Sequence, residues 1–182
     1  ATSEGLNRFD GYDFKVFRYD PLNSNSLRTN NVTSLLIDSK NRFWLASFGA
    51  PNGGISQWNP KTETFINYVP ENNDTNYLFP WALTKLYEDR SGNIWVGTVA
   101  GLDIFNPETG KYLHYTDKKS GFSSLVHNYI TAIIEDSRGN LWIGTLDSGL
   151  VKYNPATKEF QRFKYEKSNI KSLLSNHINS IY

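Results

Sequence analysis

ITAIIEDSRGNLWIGT, Ile130 to Thr145, decides the fold, because the chain spells it three times. The other copies are LTKLYEDRSGNIWVGT from Leu83 and VTSLLIDSKNRFWLAS from Val32. Each runs on into a second shared stretch: GISQWNPKTETFINY from Gly54, GLDIFNPETGKYLHY from Gly101 and GLVKYNPATKEFQRF from Gly149. The steps from Val32 to Leu83, to Ile130 and to Ile178 are 51, 47 and 48 residues. A fixed period of this size marks a repeat architecture before any single residue is interpreted. The ends of the chain are pieces of the same unit. Gly5 to Tyr19 (GLNRFDGYDFKVFRY) match the second half of a repeat, and His177 to Tyr182 (HINSIY) the opening of another. The expected division is the end of one unit in 1–30, whole units in 31–80, 81–128 and 129–176, and a first strand in 177–182.

Within the third copy, Ile130 to Glu135 is a β-branched run that stops at Asp136-Ser-Arg-Gly139-Asn140. The Asp can accept backbone N–H bonds and Gly139 can take positive φ, so this is a turn. Leu141 to Thr145 reads as a second strand. Leu150 to Tyr153 reads as a third, closed by Asn154-Pro-Ala-Thr157 with proline at the second turn position. Glu159 to Tyr165 alternates charged and aromatic residues, as an outer, half-solvated strand should. Four short antiparallel strands in about 48 residues describe a β-propeller blade, and the fold class is all-β. A parallel β-helix needs a shorter period, and helical repeats need a 3.6-residue apolar pattern that is missing. A β-sandwich with internal similarity is the remaining alternative. Three whole blades with partial ones fall short of a ring, since propellers typically close with 4–8 blades. With no methionine in the sequence, an internal piece of a larger protein is expected, its open ends exposing strand edges and apolar flanks.

Bulk composition narrows the function. The chain of 182 residues is long enough for a real core, 15% of it is aromatic, and the net charge is +1. No basic stripe marks a nucleic-acid surface. No run of 18 apolar residues offers membrane contact. The lack of cysteine removes disulfides and thiolate metal sites. Neither a cofactor motif nor a Gly-rich phosphate loop is present.

The pattern I/V-T-x-I-x-x-D-x-x-G-N-L-W-I-G-T, followed by G-L-x-x-Y-N-P, resembles the two-component regulator propeller repeat. The resemblance covers nearly the whole chain. It implies the extracytoplasmic, periplasmic sensor region of an inner-membrane hybrid two-component system, of the kind common in Bacteroidetes bacteria. Such sensors carry seven-bladed propellers, then an immunoglobulin-like domain, a membrane span and a histidine kinase, and many respond to carbohydrates. The first copy departs from the pattern with Lys40-Asn41 in place of a Gly and with Leu45-Ala46-Ser47. The second has Trp81 where Asn30, Asn128 and Asn176 recur.

Asp38, Asp89 and Asp136 occupy one position in every repeat. A catalytic carboxylate is unique within its site, so these are read as structural turn residues. By the same argument Trp44, Trp95 and Trp142 are expected to pack between blades rather than stack on a sugar. The turn resembles the Asp-box of sialidases in design only, because its Asp-to-Gly offset is three. The alternating ligands of a calcium loop are missing. His114, His127 and His177 follow no ligand spacing, so no metal site and no catalytic residue are assigned.

Variation concentrates on one face. The second-to-third-strand loop spans ten residues from Trp44 to Gly54, but six from Trp95 to Gly101 and seven from Trp142 to Gly149. Loop variation on a rigid scaffold is where function tends to sit. Phe48, Asn52, Tyr77, Trp81, His127 and Asp147 are therefore the candidate contacts for a ligand or partner, exposed aromatics beside amides and carboxylates suiting sugar rings. The expected function is non-catalytic ligand sensing, with an oligosaccharide as ligand and the remaining blades and downstream domains as partners. The alternatives are a spacer or homodimerisation platform, and a propeller lyase or hydrolase.

Overall fold

Within each sheet of a computed structural model that describes residues 2–49, 52–68, 82–114 and 129–182, successive strands pair with their neighbours in sequence. Strands β3 (Val32–Ile37), β4 (Phe43–Ser47), β5 (Gly54–Asn59) and β6 (Thr64–Tyr68) form one antiparallel sheet. Strands β7 (Leu83–Glu88), β8 (Ile94–Thr98), β9 (Leu102–Asn106) and β10 (Lys111–His114) form the second. The third comprises β11 (Ile130–Glu135), β12 (Leu141–Thr145), β13 (Leu150–Asn154) and β14 (Glu159–Phe163). Ahead of them, β1 (Leu6–Phe9) and β2 (Phe14–Phe17) make a two-stranded hairpin. No α-helix occurs among the described residues. The all-β propeller architecture read from the repeat is the one observed.

The three sheets are copies in register as well as in order. Trp44 pairs with Leu36, Trp95 with Tyr87 and Trp142 with Ile134. Each first strand carries one bulge, at Thr33, Thr84 and Thr131. A bulge re-aims a side chain, and these three hydroxyls leave their own ladders to reach the following repeat. Thr33 Oγ1 donates to the Leu83 carbonyl at 2.8 Å and Thr84 Oγ1 to the Ile130 carbonyl at 2.6 Å. Thr131 Oγ1 donates to the Ile178 carbonyl. First strand therefore lies beside first strand, β3 against β7 and β7 against β11, and the sheets fan outward from that shared edge. Replacing the buried Thr84 by Val should cost about 1 kcal/mol, because the Ile130 carbonyl loses its donor. An unchanged urea midpoint would show that the hydroxyl contributes nothing to blade docking.

Apolar side chains fill the spaces between sheets. Trp44 is fully buried against Tyr68 of its own sheet and Phe105 of the next, with ring centroids 5.5 and 5.3 Å away. Trp95 meets Tyr153 of the third sheet at 5.7 Å and shares a core with Ile130 and Ile143. Such pairs are worth about 0.5–1.5 kcal/mol beyond their buried area. Trp44 and Trp95 thus pack between blades, as their recurrence implied. Trp142 differs, stacking on Phe163 of its own sheet with Lys152 Nζ over the ring. His177 to Tyr182, read as a first strand, form no ladder. Even so, Ile178 sits on Gly144 as Ile130 sits on Gly97.

The recurring aspartates hold more than a turn. Asp38 Oδ1 accepts the backbone N–H groups of Lys40 (3.0 Å) and Arg42 (2.8 Å), while Oδ2 accepts the Trp44 indole N–H at 2.8 Å. Asp89 and Asp136 repeat the arrangement, binding Trp95 at 2.7 Å and Trp142 at 3.0 Å. One carboxylate thereby closes the hairpin and orients the ring that packs on the neighbouring sheet. Position four of the turn needs positive φ, taken by Gly92 (79°), Gly139 (83°) and, in the first copy, Asn41 (59°). Asn tolerates that region, which explains why Lys40-Asn41 does not break the repeat.

Candidate ligand groove

Turns at one end of the sheets, 38–42 and 59–64 in the first, keep nearly the same length in every copy, whereas the opposite face carries the variable loops. On that face the connection 19–30 folds back over the first sheet. Its shape comes from short polar side chains bonding their own backbone. The Tyr19 N–H donates to Asn30 Oδ1 at 2.7 Å, and the Asp20 N–H to Ser26 Oγ at 2.9 Å. Leu22 N–H caps Asp20 Oδ1, and Asn25 N–H caps Asn23 Oδ1. The last connection repeats the design, with Tyr165 N–H on Asn176 Oδ1 at 2.7 Å and Glu166 N–H on Ser172 Oγ at 2.9 Å. The recurring asparagines at 30 and 176 are therefore clasps of the blade-to-blade crossing.

Outer strand β6 holds the first connection down. Phe65 N–H donates to the Asn25 carbonyl at 2.8 Å. Asn67 Nδ2 donates to the carbonyls of Ser24 (3.1 Å) and Ser26 (2.9 Å), and its Oδ1 accepts Ser56 Oγ. Leu27 is buried beneath, against Trp58 and Phe65. Above it lies an open groove of about 320 Å³, lined by Tyr19, Asp20, Asn23, Arg28, Asn52 and Asn67 among others. Arg28 Nε donates to the Asn52 carbonyl at 2.7 Å, joining the connection to the long second-to-third-strand loop of the first sheet. Within that loop, the N–H groups of Asn52 and Gly53 bond the Gly49 carbonyl at 2.9 and 2.7 Å. Asn52 lines the groove, and its side-chain amide makes no hydrogen bond among the described residues.

Of the residues singled out from sequence, Asn52 lines this groove. Phe48 belongs to the same loop but has another place. Its N–H bonds the Asn31 carbonyl at 2.9 Å and it bridges to Ala82 of the next repeat, as Val99 and Leu146 bond the carbonyls of Ala82 and Tyr129. Asp147 is exposed in the corresponding loop of the third sheet, accepts Ser148 Oγ at 3.1 Å and does not line the groove. Tyr77, Trp81 and His127 lie outside the described residues. Arg28, Tyr19, Asp20 and Asn23 were missed because the connections were aligned only for length and for their asparagine.

A second groove, of about 370 Å³, runs between the third sheet and the last connection, with Trp142, Leu150, Arg162, Phe163 and Leu173 on its walls. Its apolar members have counterparts at the first junction. Leu6, Phe17 and Leu27 stand in the positions of Leu150, Phe163 and Leu173, and all three are buried in the core shared with β3–β6. This groove has the form of a blade-docking face. The chemistry of the first is hydrogen bonding: amides, one guanidinium, one carboxylate and a phenol, without a paired acid and base. Among the described residues no three His, Asp or Glu side chains converge as a metal site.

The family model described as two component regulator propeller matches residues 26–49, 82–100 and 124–147. Among solved structures, the extracellular domain of BT4673, described as a hybrid two component system of B. thetaiotaomicron, superposes with a TM-score of 0.76 at 23% identity over 99% of this chain. The corresponding domain of BT3049 from the same organism gives 0.68 at 24% identity over 90%. The chain spans 22% of the length of each. Virginiamycin B lyase of Staphylococcus aureus, an enzyme, gives 0.50 at 13% identity over 74% of this chain and 41% of the lyase. At these identities the likeness is one of fold. No curated protein matches the chain. No helix of the described residues is long and apolar enough to cross a membrane.

Proposed function

From a chain that carries two-component regulator propeller repeats, we infer a non-catalytic recognition module in the periplasmic sensor region of a hybrid two-component system, with an oligosaccharide as its ligand. The observation that carries this is the polar groove over the first sheet, where the Asn52 amide, Arg28 and the Tyr19 ring meet on a scaffold tied down by Asn67. Sugars offer hydroxyls to amides and C–H faces to aromatic rings, and a pocket recognises them with a few well-placed polar groups. Calorimetric titration of the protein against a panel of oligosaccharides tests it. At least one member should bind, and Asn52→Ala should weaken that binding about tenfold, the worth of one or two hydrogen bonds. Absence of binding across the panel, or an unaltered affinity in Asn52→Ala, would sink this assignment.

A platform role for the same blades is favoured by the second groove. Leu150, Phe163 and Leu173 are only partly buried, whereas their counterparts Leu6, Phe17 and Leu27 are buried under a following sheet, so a further blade of this repeat is the partner proposed for that flank.

A further inference from the structure

Arg28 is out of pattern. The connections align Ser26-Leu27-Arg28-Thr29-Asn30 with Ser172-Leu173-Leu174-Ser175-Asn176 and with Ser124-Leu125-Val126-His127-Asn128, so the position of Arg28 is otherwise apolar. The exception coincides with the longest of the three second-to-third-strand loops. Arg28 Nε donates to the Asn52 carbonyl at 2.7 Å, with Gly53 O at 3.4 Å. None of the ion pairs among the described residues uses Arg28. Its two terminal nitrogens have no protein partner there, and Arg28 is the sole cation among the groove's lining residues.

Asp20 stands on the same lining, but one of its oxygens is already held by the Leu22 N–H at 2.9 Å. The other suits a hydroxyl donor. A guanidinium anchored through Nε presents a planar fork whose geometry matches a carboxylate. We propose that the groove selects acidic oligosaccharides, with the Arg28 fork taking a sugar carboxylate while Asn52, Asn23 and Asp20 take neighbouring hydroxyls. This rests on the recognition reading above and specifies its ligand class.

The test compares trigalacturonic acid with galactotriose, matched in size, by calorimetry on the protein at low and physiological salt. The acid should bind at least about tenfold more tightly, and added salt should narrow the gap. Arg28→Leu, which installs the residue found at 174, should abolish the preference, bringing the affinities for the two sugars within about twofold of each other. Arg28→Lys, which keeps charge but loses the fork and the anchor, should retain only part of it. Equal affinities for the two sugars, or a preference that survives Arg28→Leu, would overturn the assignment to Arg28 and leave sugar recognition standing. If neither sugar nor any other member of the panel binds, the recognition reading itself fails.

Discussion

Replacing Asp38 by Ala should cost about 3–5 kcal/mol of unfolding free energy, the range for removing one partner of a buried charged pair. Asp38 is 4% exposed. It holds two backbone N–H groups, the Trp44 indole and, through Oδ2, Arg42 Nε at 2.6 Å. Its loss leaves the indole N–H of a fully buried ring without an acceptor and frees the turn that carries Asn41 at positive φ. Arg42 keeps Glu108 of the next repeat, 2.9 Å from Nη1, so part of the inter-blade tie survives. Pairing the change with Trp44→Phe separates the roles. If the carboxylate acts mainly through the indole, the double variant will be much less destabilised than the sum of the two singles. Additive costs would assign Asp38 to the turn alone, and a loss below about 1 kcal/mol would remove it from the stability argument.

The same carboxylates set the acid limit of the fold. Burial pushes the Asp38 carboxyl upward, but the Trp44 indole and the Arg42 donors outweigh it and hold the group below its ordinary value of 3.8. Asp136 is lowered further, chiefly by the Asn140 side chain and the Trp142 indole. A carboxylate whose folded pKa lies below its unfolded value stabilises the fold at every pH above the unfolded value. That contribution disappears as pH falls through the folded one. Stability should therefore be nearly flat from neutral pH down to about 4 and fall below it. Asp136→Asn should flatten the acid limb, at the expense of stability at neutral pH.

How far these features were legible depends on whether a residue acts within its own repeat. The turn role of Asp38, Asp89 and Asp136 followed from recurrence. Their grip on the indole did not, although a constant spacing of six residues from Asp to Trp was the available signal. Thr33, Thr84 and Thr131 looked like ordinary strand residues, because only the bulge reveals that the hydroxyl serves the neighbouring sheet. The groove was hidden for the same reason. Asn52 stood out by its loop, but Arg28 and Asn67 reach it from 24 and 15 positions away in sequence. Aligning the connections residue by residue would have exposed Arg28. Phe48 stood out as an aromatic in a variable loop, while its backbone pairing with Asn31 left no period-2 signal in the sequence.

Gly97→Ala should destabilise the protein by about 1–3 kcal/mol, the usual cost of overpacking, and Ile130→Leu should return much of it. A Cβ on Gly97 would stand 2.8 Å from Ile130 Cγ2, 3.0 Å from Ile130 Cβ and 3.1 Å from Thr84 Oγ1. Those atoms lie on stiff, β-branched side chains that cannot swing aside. Gly144 faces Ile178 with the same 2.8 Å approach. The first repeat already contains the compensated version: Ala46 replaces the glycine, and Leu83, which branches one carbon later, replaces the isoleucine. Both are buried in one core, at 0% and 1% exposure. The pair Gly–Ile or Ala–Leu is thus a matched choice across the blade interface, and a mixed pair either clashes or leaves a gap. Thermal melts of the two single variants and the double variant read the coupling directly. A double variant no more stable than Gly97→Ala would mean that the strain lies against Thr84, within the second sheet, and not at the junction between blades.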